Sequence, residues 1–532
     1  MSLHDELKSQ AKLVAKDVRA EKASAYSRRA RDFMDINPDA VLGVIDLIHR
    51  EANRKKPNDA MIQAFGYMFS TGMEALRYKV ERQHEWAENL VDEVRELLFL
   101  LAKGGVISPH LLMFLLNGFI EAKLDPGEDL TDLLGEVALE QAADTPIPDS
   151  GDLDELLESI VEQVGGNEFE VYAALAQTSQ AMPPEVRQAM MGQIAASENP
   201  VLRDTGVLYL LDPAPEVRRT VCQTIARHGS PSILSPTSLR RMIALRNWLP
   251  EGERHYLDAA IKMARQKQVE CASWPQSKVG ELLASNMDGA GAQSIFAVVK
   301  EGRKHVIASL LVKQGVGVAD AWCIRDQSKA DVKGFLGHIH AETTSIPVDL
   351  DFLHTLVPHY LAVGQKAGNV PTPGFLDFVE AIGIEKWQPS EFSADDLLSL
   401  LEKDATPSHI EGKAATEVIE RSNGWCDESD FLESWFEDDA EVEAVLSEKR
   451  RSRTPAKVNA IIKSILEPRR GKWVERFLWT ALWLKQKQDL LSPWMKFLVV
   501  GRELHRGRPI KEIPVMRNIA EVTVMAATAI RF

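Results

Sequence analysis

Pro184-Glu185-Val186-Arg187 recurs as Pro215-Glu216-Val217-Arg218, a shift of 31 residues, and Ile194-Ala195 recurs at the same shift as Ile225-Ala226. Between the copies, Pro200-Val201-Leu202-Arg203 repeats the Pro-x-x-Arg spacing, so the starts fall every 15 or 16 residues. Proline suits the first position of a helix, where its missing N–H would have had no partner and its fixed φ is already helical. Each start therefore predicts a helix of about three turns and a short connection. Two such units form a hairpin whose apolar face is buried only by stacking on the next hairpin.

Outward from this segment the same spacing continues. Val41, Val44, Ile45 and Ile48 mark one helix face and Leu90, Val94, Leu97 and Leu98 another. Strand-like alternation is scarce. The breaks carry helix-ending punctuation at Asn37-Pro38, Asp125-Pro126-Gly127, Asp212-Pro213, Gly229-Ser230-Pro231 and Pro371-Thr372-Pro373-Gly374. The expectation is an all-α fold: a helical domain over 1–144, a helical-hairpin array over 151–345, and a helical region over 346–532 that is first acidic, then basic and Trp-rich. The clearest linker is Thr145-Pro146-Ile147-Pro148-Asp149-Ser150-Gly151, and a second boundary falls near Thr343–Pro347.

Leu210-Leu211-Asp212-Pro213-Ala214-Pro215-Glu216-Val217-Arg218 resembles the turn and helix start of a HEAT repeat, with its aspartate, proline and Val-Arg pair. The match covers residues 183–228, and its extension over 151–345 follows the helical pattern. The first copy has Ala181 where the second has Asp212, and the period is shorter than the ~40 residues usual for the family. The resemblance implies an α-solenoid with a long surface for a macromolecular partner.

With 45% hydrophobic and 26% charged residues, the 532-residue chain has a globular composition, unlike that of a disordered, collagenous or membrane-spanning polymer. Its most apolar stretch, Leu97 to Ile120, is interrupted by Lys103, Gly104, Gly105, Pro109 and His110, and predicts two core helices meeting at a turn. The first thirty residues have no secretory pattern. Cys222, Cys271, Cys323 and Cys426 stand at no ligand or disulfide spacing. A cytoplasmic, reducing location is expected.

Motifs that carry chemistry are few. His338, His340, His354 and His359, with Glu342, Asp349 and Asp351 between them, could supply metal ligands, but His354 and His359 lie about 140° apart around a helix. Gly289-Ala290-Gly291 lacks the strand and third glycine of a dinucleotide loop and predicts a turn between two helices. Gly412-Lys413 and Gly471-Lys472 lack the rest of a phosphate-binding loop. No catalytic residue, metal or cofactor is expected from this pattern.

The net charge of −16 is uneven: residues 449–532 hold 19 Lys and Arg against 6 Asp and Glu, a net +13, which leaves −29 for residues 1–448. The basic residues singled out are Arg450, Arg451, Arg453, Arg469, Arg470, Lys472, Arg476, Arg502, Arg506 and Arg508. They are expected to form a surface for nucleic acid or another polyanion, an ordinary solvated face, or a docking face for the chain's own acidic portion around Asp427–Glu448. A turn-back after Glu448 would lay Arg450, Arg451 and Arg453 beside that run. Among them lie Trp425, Trp435, Trp473, Trp479, Trp483 and Trp494, six of the chain's eleven tryptophans. Trp479 and Trp483 share a helix face, as do Trp473 and Phe477, which predicts core packing.

Three functions follow, in order. The first is a non-catalytic scaffold or adaptor that binds another macromolecule, a protein before a nucleic acid, with no membrane contact. The second is a nucleic-acid-binding protein using residues 449–532. The third is an enzyme with a composite site, metal-dependent around His338–His359.

Overall fold

The computed structural model describes residues 3–20, 24–135, 150–179, 184–230, 234–384, 387–425, 429–487 and 493–529. Two compact units divide at Met190 and Met191. Of the expected linker, 145–149 lie outside the described residues, while Ser150 and Gly151 open a helix.

In the first unit, helices α1 (Leu3–Arg19), α2 (Ala25–Ile36), α3 (Ala40–Ala52), α4 (Asp59–Val80), α5 (Glu85–Lys103) and α6 (Pro109–Glu121) precede α7 (Ser150–Gln163) and α8 (Glu168–Ser179). The long α4 packs against α1, α2, α3, α5 and α6. Val41, Val44, Ile45 and Ile48 are all fully buried, as their spacing predicts. Leu97 to Ile120 forms the expected pair of helices, and the second begins at a Ser108 cap followed by Pro109.

The division between units falls inside α9 (Pro184–Ala196). After it come α10 (Pro200–Leu208), α11 (Pro215–His228), α12 (Pro236–Leu245) and α13 (Arg254–Gln266). Prolines stand where the repeat places them, and Asn199 and Ser235 cap the helices that follow them. Val217 is fully buried, whereas Val186, its counterpart in the first copy, is half exposed.

The helical array expected through residue 345 stops being helical after Gln266. Strands β1 (Lys278–Ser285), β2 (Ala292–Glu301), β3 (Lys304–Lys313), β4 (Gly317–Gln327) and β5 (Ser345–Pro347) form an antiparallel sheet of order β4-β3-β2-β1-β5. The fold is therefore mostly helical but not all-α. The physical reason is that the middle strands are covered on both faces. Ile295–Val299 and Val306–Val312 are almost continuously apolar, so they show no alternation and cannot be told from buried helix by periodicity.

Helix α14 (Lys329–Glu342) covers one face, where Phe335, Leu336 and Ile339 meet Leu283, Phe296, Val298 and Ile307. The alternate residues Ile295, Ala297, Val299, Ala308 and Leu310 are buried as well. On their side pack α15 (Leu350–Lys366) and α16 (Pro373–Ile382). Buried ion pairs tie α12 to α16: Arg240 and Arg241 both donate to Glu380. Then follow α17 (Ala394–Glu402), α18 (Gly412–Arg421), α19 (Ala440–Glu448), α20 (Thr454–Ile461), a π-helical turn at Ile462–Leu466, α21 (Arg470–Lys485), α22 (Trp494–His505) and α23 (Pro514–Ala529). Trp435, Trp473, Trp479 and Trp483 are buried in the core. Trp435 Nε1 donates to the Met287 carbonyl and Trp483 Nε1 to that of Ala284. No helix among the described residues is long and apolar enough to cross a membrane.

Candidate functional site

The ten basic residues are not one surface. Arg469, just before α21, donates to Glu437 at 2.7 Å, Asp439 at 2.5 Å and Glu441 at 2.6 Å. Lys472 joins the same group at 3.1 Å from Glu437, and burial holds its ammonium below the usual lysine range despite that partner. The chain thus does fold its basic part back on its acidic part, but through Arg469 and Lys472. Arg450, Arg451 and Arg453, expected to pair there, are exposed between α19 and α20. Asp427 and Glu428 lie outside the described residues.

These two sets of cations should respond differently to mutation. Arg469→Ala should cost about 2 kcal/mol, since it strands charge-assisted bonds to the buried Glu437 and the partly exposed Asp439. Replacing Arg450, Arg451 and Arg453 together by Ala should stay within ~0.5 kcal/mol per site, the range of ordinary surface changes. Urea unfolding of both variants is the check, and equal losses would contradict the assignment.

Four others make separate contacts, with Arg502 buried and Arg506 exposed. Arg470 donates to the carbonyls of Leu504 and Arg508 and pairs with Glu467. Arg502 is buried, donates to the Ile410 carbonyl and lies 3.4 Å from Glu402. Arg506 and Arg508 approach Glu503 at 3.5 and 3.4 Å. These last two and Arg502 are brought together around a cavity of about 280 Å³ against the start of α18.

Arg476 is fully buried and heads a polar centre that the sequence did not reveal. Its Nε and Nη2 donate to Gln314 Oε1 at 3.2 and 3.1 Å, and its guanidinium lies 4.4 Å from the Trp473 ring centroid. Gln314 in turn donates to Glu475 at 3.1 Å. Burial lowers the Arg476 pKa from its ordinary value and raises that of Glu475. His359 approaches Glu475 at 3.9 Å, but burial pushes the imidazole down to about 4, so near neutral pH this is a contact of a neutral ring and not an ion pair. Its Nδ1 accepts from the Phe392 N–H at 3.2 Å, which leaves the proton on Nε2, toward Glu475. Tyr360 is buried beside them, its phenol pushed up by burial. Sequence separations of about 115 to 160 residues leave no local signal for this centre.

The other histidines do not join this centre. His338 is exposed on α14, 4.0 Å from Glu342, and His340 contacts Ser345. His354 accepts from Trp387 Nε1 at 3.1 Å. No group of three or more His, Cys, Asp or Glu among the described residues is placed to hold a metal ion. Gly289-Ala290-Gly291, expected between helices, is instead the turn from β1 to β2.

Comparison with known proteins separates the chain into similar segments. Residues 183–268, which hold α9 to α13, match the family model of the Y4lR second domain, and residues 395–528, from α17 to α23, match that of the Y4lR C-terminal helical domain. The uncharacterised protein y4lR of Sinorhizobium fredii is 28% identical over 504 residues, covering 93% of this chain and 89% of that one. No solved structure matches.

Proposed function

We propose that this chain is a non-catalytic scaffold or adaptor whose partner is another protein. The observation that carries this reading is on β4, an edge strand of the sheet, where Trp322, beside Phe335 of α14, and Ile324 stand 36% and 47% exposed. Exposed apolar side chains on an edge strand are an association hazard unless something covers them. Tryptophan is also among the residues enriched where partners bind. Support comes from the packing of α10 on α12 and of α11 on α13, each helix on the next but one. Stacked hairpins pack in this way, so residues 191–266 are read as a short HEAT-like array. Free thiols at Cys222, Cys271 and Cys323 fit a cytoplasmic location.

The test uses the full chain as bait. Trp322→Ser with Ile324→Ser should leave the melting temperature within about 2 °C, as for exposed positions. It should also remove a protein that the unaltered chain retains at stoichiometric level and that the Arg450, Arg451 and Arg453 triple variant keeps. Identical retention by all three baits would refute the edge-strand reading.

A second reading rests on the exposure of those three arginines: residues 449–532 bind a polyanion through the turn between α19 and α20. Salt-sensitive retention on heparin that the triple variant loses would support it.

A further inference from the structure

The cavity of about 280 Å³ between α18 and α22 combines three features that select an oxyanion. First, its walls carry Arg502, Arg506 and Arg508, with the carboxylates of Glu411 and Glu503 the opposing charges. Second, Arg502 is a built-in group and not a surface side chain: it is 3% exposed, its two terminal nitrogens face the Ile410 carbonyl and Glu402, and its Nε has no hydrogen-bond partner. The Nε of Arg508 is likewise unpartnered. Buried polar groups are seldom left so. Third, the cavity is lined by Gly412, Ala415 and Thr416 at the N-terminus of α18, a ten-residue helix that no side chain caps, so its first-turn N–H groups lack a side-chain acceptor.

Glu503 engages these cations only loosely. Its contacts with Arg506 and Arg508, at 3.5 and 3.4 Å, are longer than good charge-assisted hydrogen bonds, which lie near 2.7–2.9 Å. A dianion with several acceptor oxygens would bond both guanidiniums better than the carboxylate does. The helix N-terminus would add donors from the opposite wall.

We propose that this cavity binds the phosphate group of a small ligand, held by Arg506 and Arg508 with Arg502 behind them and the first turn of α18 in front. The volume exceeds that of the bare ion, so the ligand is either free phosphate with water or a small phosphomonoester. This site is independent of the partner surface on β4.

Titration of the full chain with inorganic phosphate at constant ionic strength, followed by calorimetry, should give saturable binding of one equivalent. Arg506→Gln with Arg508→Gln should weaken it roughly tenfold or more, the loss expected for a charged hydrogen bond or two. Arg506→Gln alone, at a 61% exposed side chain, should weaken it in the same direction and keeps the test open if the double variant does not fold. Tighter binding of glycerol phosphate than of phosphate assigns the remaining volume to an organic group, and equal binding assigns the site to the free ion. Absence of saturable binding, or equal affinity in the unaltered chain and the variants, would overturn the proposal.

Discussion

Glu380→Ala is expected to destabilise the protein by about 3–5 kcal/mol, the range for breaking a buried ion pair by removing one partner. The side chains of Arg240, Arg241 and Glu380 are 8%, 3% and 9% exposed, and the contacts measure 2.5 Å from Arg240 and 2.8 and 2.9 Å from Arg241. Without the carboxylate, two buried guanidiniums face each other between α12 and α16. The pH dependence has a definite sign. Burial opposes ionisation of Glu380, but the hydrogen bonds and charges of Arg241 and Arg240 outweigh it and hold its pKa below the ordinary 4.5. A depressed carboxylate contributes stability that is present above its unfolded-state pKa and is lost as pH falls through the folded value. The gap between the unaltered protein and Glu380→Gln should therefore be constant above about pH 4.5 and narrow in acid. Urea unfolding across pH measures it, and a gap that widens in acid would contradict the assignment.

Gly374→Ala should be the other severe change. Gly374 lies in the first turn of α16, and a Cβ there would sit 1.9 Å from the Ala321 carbonyl oxygen of β4 and 2.8 Å from its carbon. Backbone cannot rotate away as a side chain can, so the helix start must lift from the strand. A loss of about 3 kcal/mol, the upper part of the usual overpacking range, is expected. Gly337→Ala is the contrast: it lies inside α14 with open space around its Cβ, and should stabilise by about 0.5–1 kcal/mol. Thermal melts of the two variants should move in opposite directions. A shared direction would mean that the close approach of α16 to β4 is wrong.

The sequence made the helices legible where burial is one-sided. Val41, Val44, Ile45 and Ile48 declare a face, and the prolines at 200 and 215 declare starts, because both signals are local. The sheet was not legible, since β2 and β3 are apolar on both faces and their partners are set by registers such as Ala297 opposite Ala308, which no periodicity records. Matching tetrapeptides did not ensure matching environments either, as the contrast of Val186 with Val217 shows. The basic residues were found as a composition bias, but which of them meet carboxylates depends on the turn into α21. That turn brings Arg469 to Glu437 and Asp439, and leaves Arg450, Arg451 and Arg453 outside. The centre at Arg476 and the Glu380 ties join residues more than a hundred positions apart, where the sequence has no spacing to offer.

The strand order also sets a sequence in time. From β1 to β4 each strand pairs with the next through a short turn, as where Glu301 meets Lys304 across Gly302 and Arg303. Such hairpins close on a scale of about 1–10 μs. The contacts of Arg240 and Arg241 with Glu380 close loops of 140 and 139 residues, so their entropy must be met before they return any energy. The meander is thus placed to organise first and the clasp between α12 and α16 to engage late, which makes the clasp a determinant of how slowly the folded chain comes apart more than of how fast it assembles.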